Sequence, residues 1–265
     1  MLNRANLRSG TQKEEVRRRL FSFNLLLNRI LVMNIVITGA SSGVGRETAG
    51  ILADIPGSRL IVIARNLMKI QALAGECNLR KQETVVQPIQ FDLAKGDIEL
   101  LAQQINRQLG KIDILINNAG ALLNKPFGRI TAAEIDDVFN VNVKAPFLLT
   151  QALIPLMKKG AHVINIGSMG GVQGSVKFPG LSVYSASKGA LSVLTECLAV
   201  ELAEKQISVN CLAFGSVQTE MLAQAFPGYK APVTATGMAA FVADFALNGH
   251  KFFNGKVLPV SLSTP

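Results

Sequence analysis

Only two histidines and three cysteines occur among 265 residues, and no CxxC pair. Zinc and iron sites draw three or four such ligands at close spacing, so His162, His250, Cys77, Cys197 and Cys211 are expected to hold no metal. The cysteines are odd in number, widely spaced and set in apolar context, which suits reduced core thiols in a cytoplasmic protein better than a disulfide framework. Long apolar runs are missing too. The stretch 20–32 is interrupted by Ser22, Asn24, Asn28 and Arg29; it is too short and too broken to span a bilayer, and no integral membrane segment is expected. No small-residue cleavage site follows it, so no secretory signal is read.

Acidic side chains are the scarcer sign, 18 against 27 basic ones, for a net charge of +9. Residues 1–32 hold seven of the basic groups (Arg4, Arg8, Lys13, Arg17, Arg18, Arg19, Arg29) against Glu14 and Glu15; beyond them 20 basic and 16 acidic side chains leave +4. The high pI is mostly a property of this arm and gives little ground for a nucleic-acid partner of the folded body, so none is expected. The arm reads as an amphipathic surface or partner helix, as an organelle-targeting-like segment, or as an extension upstream of a natural start at Met33. The last is preferred because the first strand begins one residue later. The domain assignment is therefore a basic extension, 1–32, and a single folded domain, 33–265, a length that supports one large core without staples.

From residue 34 short apolar runs alternate with helical patterns. "NIVIT" (34–38), "RLIVIA" (59–64), "TVVQPI" (84–89), "IDILIN" (112–117), "AHVINIGS" (161–168), "ISVNCLA" (207–213) and "GKVLPV" (255–260) are rich in β-branched residues without clean alternation, as in parallel strands covered on both faces. Leucine and alanine at three- and four-residue spacing between them predict helices, for example over 97–109 and 183–205. Repeated strand–helix units imply right-handed crossovers. The expected fold is an α/β doubly wound Rossmann fold with a mostly seven-stranded parallel sheet flanked by helices.

"TGASSGVG" follows the first strand and opens a helix. Gly39, Gly43 and Gly45 permit a tight turn and let backbone N–H groups approach a pyrophosphate, with Ser41, Ser42 and Val44 completing the loop. A structural strand-to-helix turn is the alternative. The second strand ends in Arg65 and Asn66, where an NAD-selective site offers an acidic residue; an arginine there can neutralise a 2′-phosphate, so NADP(H) is favoured over NAD(H) unless Arg65 is only a solvated strand end. In "VYSASKGAL", Tyr184 and Lys188 lie four apart and share one helical face, either as a surface pair or as a proton-transfer device.

These segments, with "FDL" (91–93), "NNAG" (117–120), "NVN" (140–142), Ser168 and "YSASK" (184–188) in that order, resemble the short-chain dehydrogenase/reductase family over about residues 33–260. The resemblance implies hydride transfer between a nicotinamide and a carbonyl or secondary alcohol. Tyr184 would be the general acid/base. Lys188 would lower its pKa and bind the nicotinamide ribose, Ser168 would stabilise the developing oxyanion, and Asn142 would hold a water that passes protons to Lys188. Asp92 and Leu93 would border the adenine, Asn118, Ala119 and Gly120 would let the cofactor pass the fourth strand, and Val217 and Thr219 would meet the carboxamide. Phe214 replaces the family's usual proline, which predicts a less rigid turn after the sixth strand. The stretch 168–184 is longer than in many members. The lid after Thr219 carries Met221, Leu222, Phe226 and Tyr229, suggesting a moderately apolar ketone or a 3-oxoacyl thioester, with Lys177 and Lys230 as candidates for an acidic group on it. A C-terminus without Gly-Gly tempers the acyl-carrier assignment. Family members pair through helices equivalent to 132–158 and 183–205, where Ala186, Ala190 and Ala199 permit close packing, so a homodimer or homotetramer is implied. The alternative reading is a non-catalytic NADP-binding regulator, whose mark would be loss of Tyr184, Lys188 or Ser168.

Overall fold

The computed structural model describes residues 32–262; the assignments made for the basic arm lie outside them. Seven strands form one parallel sheet: β1 (Met33–Thr38), β2 (Ser58–Ala64), β3 (Val86–Gln90), β4 (Ile112–Asn117), β5 (Met157–Ser168), β6 (Ser208–Phe214) and β9 (Val257–Val260), in the order β3-β2-β1-β4-β5-β6-β9. The absence of alternation has the reason expected, since both faces are covered. Ile35 and Ile37 of β1 point to a core shared with α1 (Gly43–Ala53), α2 (Leu67–Lys81) and α8 (Ala235–Asn248), through Leu52, Ile70 and Val242. Val36 between them points to the opposite core, with Leu101 and Ile105 of α3 (Ile98–Leu109), Leu149 of α5 (Ala145–Leu153) and Ala199 of α6 (Ser182–Glu201). Strand order reverses between β1 and β4, and the carboxyl ends of strands flanking such a switch point diverge to leave a crevice.

Three expectations are corrected. The helix expected over 132–158 is α4 (Ala132–Phe139), a π turn over Asn140–Lys144, and α5, which ends at Leu153; Met157 and Lys158 already belong to β5. Pro146 has no N–H to give the Asn142 carbonyl four residues back, and its ring crowds that carbonyl. The ladder widens there, with Ala145 N–H reaching the Asn140 carbonyl. Pro155 then prevents α5 from continuing. Cys77 and Cys211 are buried as expected, but Cys197 is exposed on α6, because the face it occupies, with Val193 and Val200, is turned away from the sheet. Phe214 does not loosen its turn: it pairs with both Ser168 and Val260, and Gly215 N–H donates to the Val260 carbonyl at 3.0 Å.

Between β6 and α8 the two-residue strands β7 (Val217–Gln218) and β8 (Val233–Thr234) pair in parallel. They close the base of an excursion that carries α7 (Glu220–Ala225). Among the described residues no helix is long and apolar enough to cross a membrane.

Candidate active site

A cleft of about 950 Å³ opens at the carboxyl ends of the strands around the switch point. It is lined by every residue singled out from the sequence as a cofactor contact and by Ser168, Tyr184 and Lys188; of the four catalytic candidates, Asn142 alone does not line it. The glycine loop forms one end. Gly39 has φ +70°, and a Cβ there would lie 2.7 Å from Ala119 Cα, so only glycine lets β1 and β4 end this close together. Thr38 fastens the two ends: its Oγ1 accepts from the N–H groups of Asn118 and Ala119, both at 3.1 Å. Asn118 Nδ2 donates back to the carbonyls of Thr38 and Gly39, also at 3.1 Å.

The start of α1 is open to an anion. Ser42, its N-cap, makes no side-chain cap bond. Asn66, Asp97, Thr131, Thr219 and Thr234 each cap α2, α3, α4, α7 and α8 with a side chain. The first N–H groups of a helix need acceptors, and the macrodipole favours a negative one. A pyrophosphate meets that need, so the glycine cradle and the uncapped helix fit a dinucleotide. At the end of β2, Arg65 is exposed and has no carboxylate partner among the described residues.

At the other end Ser168 closes β5, and Tyr184 and Lys188 project from the first turns of α6. Ser168 Oγ accepts from Gly170 N–H at 3.2 Å, which fixes its rotamer. Lys188 is 3% exposed, its Nζ donates to the Ile166 carbonyl at 2.7 Å, and it lies 5.9 Å from the Tyr184 ring centroid. Burial pushes the Lys188 pKa down to about 8. Burial also pushes the Tyr184 phenol above its ordinary value, and the Ser168 hydroxyl beside it works in the other direction. The lowered phenol expected from a neighbouring ammonium is therefore not a property of the protein alone. Desolvation of the phenolate outweighs it, and the ammonium is turned to a carbonyl.

Asn142 is fully buried in the π turn. Its Nδ2 donates to the Ala121 carbonyl and to Ser187 Oγ, both at 2.9 Å, and its Oδ1 accepts from Ala121 N–H at 2.8 Å. It thus clamps the chain just after "NNAG" to α6. A Cβ on Gly120 would sit 3.6 Å from both Asn142 Oδ1 and Lys188 Nζ, so these two groups face one place on the cleft floor.

Residues 33–230 match the family described as short chain dehydrogenase. The chain belongs to that family. Its similarity to the mouse protein "Dehydrogenase/reductase SDR family member 7B" is 35% identity over 71% of this chain and 58% of that one, so the match spans less than two thirds of the mouse protein. The pig "Carbonyl reductase [NADPH] 2" is 32% identical over 70% of this chain and 72% of its own length. A crystal structure of a short chain dehydrogenase from Burkholderia cenocepacia in complex with NADP superposes with a TM-score of 0.78 at 28% identity, covering 88% of this chain and 98% of that one. Short-chain dehydrogenases are nicotinamide-dependent oxidoreductases acting on CH–OH and C=O groups, and the ordered motifs match this frame.

Two contributors to the short-chain dehydrogenase site escaped the sequence. Thr38 was only the letter before Gly39, and the Ile166 carbonyl that holds Lys188 is backbone, with no sequence signature. Lys177 is spent on its own loop, donating to the Val172 carbonyl and Ser175 Oγ at 2.6 Å each. Neither it nor Lys230 lines the cleft. Of the lid residues, Met221 and Leu222 line it, beside Leu122 and Val141.

Proposed function

We propose that this chain is an NADP(H)-dependent oxidoreductase that moves a hydride between the nicotinamide and a moderately apolar carbonyl or secondary alcohol. The observation that carries the reading is the convergence of Ser168, Tyr184 and Lys188 on one end of a cleft whose other end is a glycine cradle with an uncapped helix start. When bound, the cofactor supplies the hydride and, in its oxidised form, a positive charge near the phenol. The chain's own groups do the rest. Gly39, Ser41, Ser42, Gly43, Val44 and Gly45 hold the pyrophosphate, Arg65 and Asn66 the 2′-phosphate, and Asp92 and Leu93 the adenine; Asn118, Ala119 and Gly120 form the floor, with Val217 and Thr219 at the carboxamide. Ser168 donates to the substrate oxygen, where negative charge develops. Tyr184 gives or takes the proton on that oxygen, and the cofactor's positive charge offsets the desolvation that holds the phenol high. Lys188 binds the ribose hydroxyls, and a water on the remaining Oδ1 lone pair of Asn142 returns protons to it.

Arg65 without a carboxylate neighbour supports NADP(H) over NAD(H), as does the NADP in the Burkholderia protein. Leu122, Val141, Met221 and Leu222 support an apolar substrate body. Residues 33–265 form the cofactor-binding and catalytic domain of a cytoplasmic homodimer or homotetramer, preceded by the 1–32 extension. The exposed Val193 and Val200 on α6 support association through that helix. The test is absorbance of the reduced nicotinamide with NADPH or NADH over ketones, aldehydes, diketones and acetoacetyl thioesters, for the native protein and Tyr184→Phe. Consumption of NADPH with one class, abolished in Tyr184→Phe, is the expected result. NADPH binding without turnover across the panel overturns it in favour of a regulator.

A further inference from the structure

One ion pair crosses the mouth of the cleft. Lys69, in the first turn of α2, reaches Glu220, the first residue of α7, with Nζ to Oε2 at 3.1 Å and Nζ to Oε1 at 3.4 Å. The neighbours on each side, Met68 on one and Thr219 and Met221 on the other, line the cleft. The pair therefore ties the lid helix to the helix that begins beside Arg65. Lys69 also sits at the phosphate end: its backbone N–H donates to Asn66 Oδ1 at 3.0 Å, so its side chain leaves the helix one turn from the exposed Arg65. The other cation on this side, Arg46, is bound to Glu76 at 2.7 Å.

We propose that Lys69 is a coenzyme-specificity residue held by the lid: it pairs with Glu220 until NADP(H) enters, then turns to the 2′-phosphate beside Arg65 and lets α7 go. The inference rests on the NADP(H) reading above. Both partners are substantially exposed, with side-chain accessibilities of 47% and 65%. Such pairs are weak and easily surrendered. A phosphate monoester carries nearly two charges and three strong acceptor oxygens, so it outcompetes one carboxylate for the ammonium. Glu220 loses little when Lys69 leaves, because its carboxylate is already largely in water. NADH, without the phosphate, has nothing to offer Lys69. The same ion pair thus acts as a competitor only against the phosphorylated cofactor.

The competition separates the two partners in a way a purely structural tie does not. Fluorescence titration with NADPH and with NADH, on the wild type, Glu220→Gln, Lys69→Met and Lys69→Arg, reads it directly. Glu220→Gln removes the competitor and tightens NADPH about two- to fivefold, the range set by an exposed pair, with NADH unchanged. Lys69→Met weakens NADPH about tenfold, as loss of one charged hydrogen bond does, with NADH within about twofold; Lys69→Arg stays near wild type. Equal effects of Lys69→Met on both nucleotides, no effect on either, or weaker NADPH binding in Glu220→Gln overturns the proposal while leaving the NADP(H) reading intact. A wild type that binds neither nucleotide, or prefers NADH, overturns both.

Discussion

Replacing Lys188 with methionine separates what this side chain does for the reaction from what it costs the fold. Burial lowers its pKa from 10.5 to about 8, and each unit is about 1.4 kcal/mol, so the native state carries a penalty of about 3 kcal/mol while the amine is charged. Between pH 8 and 10.5 the unfolded chain holds this proton and the native chain has released it, so stability rises with pH across that window. Below pH 8 both states are protonated and the whole penalty is in force. Methionine removes the penalty but strips the Ile166 carbonyl of its 2.7 Å donor, a loss of about 1–2 kcal/mol. At pH 7 Lys188→Met is therefore more stable than wild type by about 1–2 kcal/mol, which raises Tm by about 2–8 °C for a domain of this size.

Near pH 10 most of the penalty has gone from the wild type as well, and the advantage falls to about zero or below. Urea unfolding of both proteins at pH 7 and pH 10 measures the difference at each pH, so that other titrating groups cancel. NADPH oxidation with the preferred carbonyl is followed in parallel and is lost in the variant. A variant less stable by more than about 1 kcal/mol at pH 7, with the same deficit at pH 10, would refute the reasoning, because Lys188 would then be an ordinary structural hydrogen-bond donor.

Asn142→Ala removes three hydrogen bonds at 2.8–2.9 Å from a fully buried site; at about 1 kcal/mol each the protein loses about 3 kcal/mol and about 6–12 °C in Tm, and a shift under about 2 °C in a thermal melt would show that the clamp on Ala121 carries no load. His162, buried between the Ala246 carbonyl and Asn210, has its pKa lowered to about 4 by burial. The unfolded chain takes up this proton from pH 6.5 downward while the native chain resists, so about 3 kcal/mol is lost as pH falls from 6.5 through 4, and a flat urea-derived stability over that range contradicts it. One thiol, Cys197, reacts rapidly with a chromogenic disulfide in the folded protein, and Cys77 and Cys211 follow only on unfolding; Cys197→Ser abolishes the fast phase, and a fast phase of two or three thiols counts against the burial described.

The strands were legible because a parallel sheet covered on both sides asks only for apolar, β-branched residues, a demand met locally in "NIVIT" or "RLIVIA" whatever lies across from them. What failed to show locally was set by groups distant in sequence or by a missing atom. The long helix that the resemblance implies over 132–158 takes no account of Pro146 withholding the donor the Asn142 carbonyl needs, yet that absence is what opens the π turn and aims the Asn142 side chain at Ala121. Cys197 sits among Leu194, Leu198 and Ala199; composition reads that as core, and only the docking of α6 on the sheet decides which face turns outward. Tyr184 shows the same divide in the chemistry. Spacing alone puts a phenol and an ammonium on one helical face and suggests that each stabilises the charge of the other. The fold instead buries Lys188 and half-buries Tyr184, so that desolvation raises the phenol's pKa and lowers the ammonium's, and it presents Lys188 with the Ile166 carbonyl of β5. The raised phenol stays neutral, whereas Lys188, with a pKa of about 8, keeps its proton near neutrality and commits it to the Ile166 carbonyl. On the proposed function, a nicotinamide held in the cleft would supply the further positive charge that a Tyr184 phenolate needs.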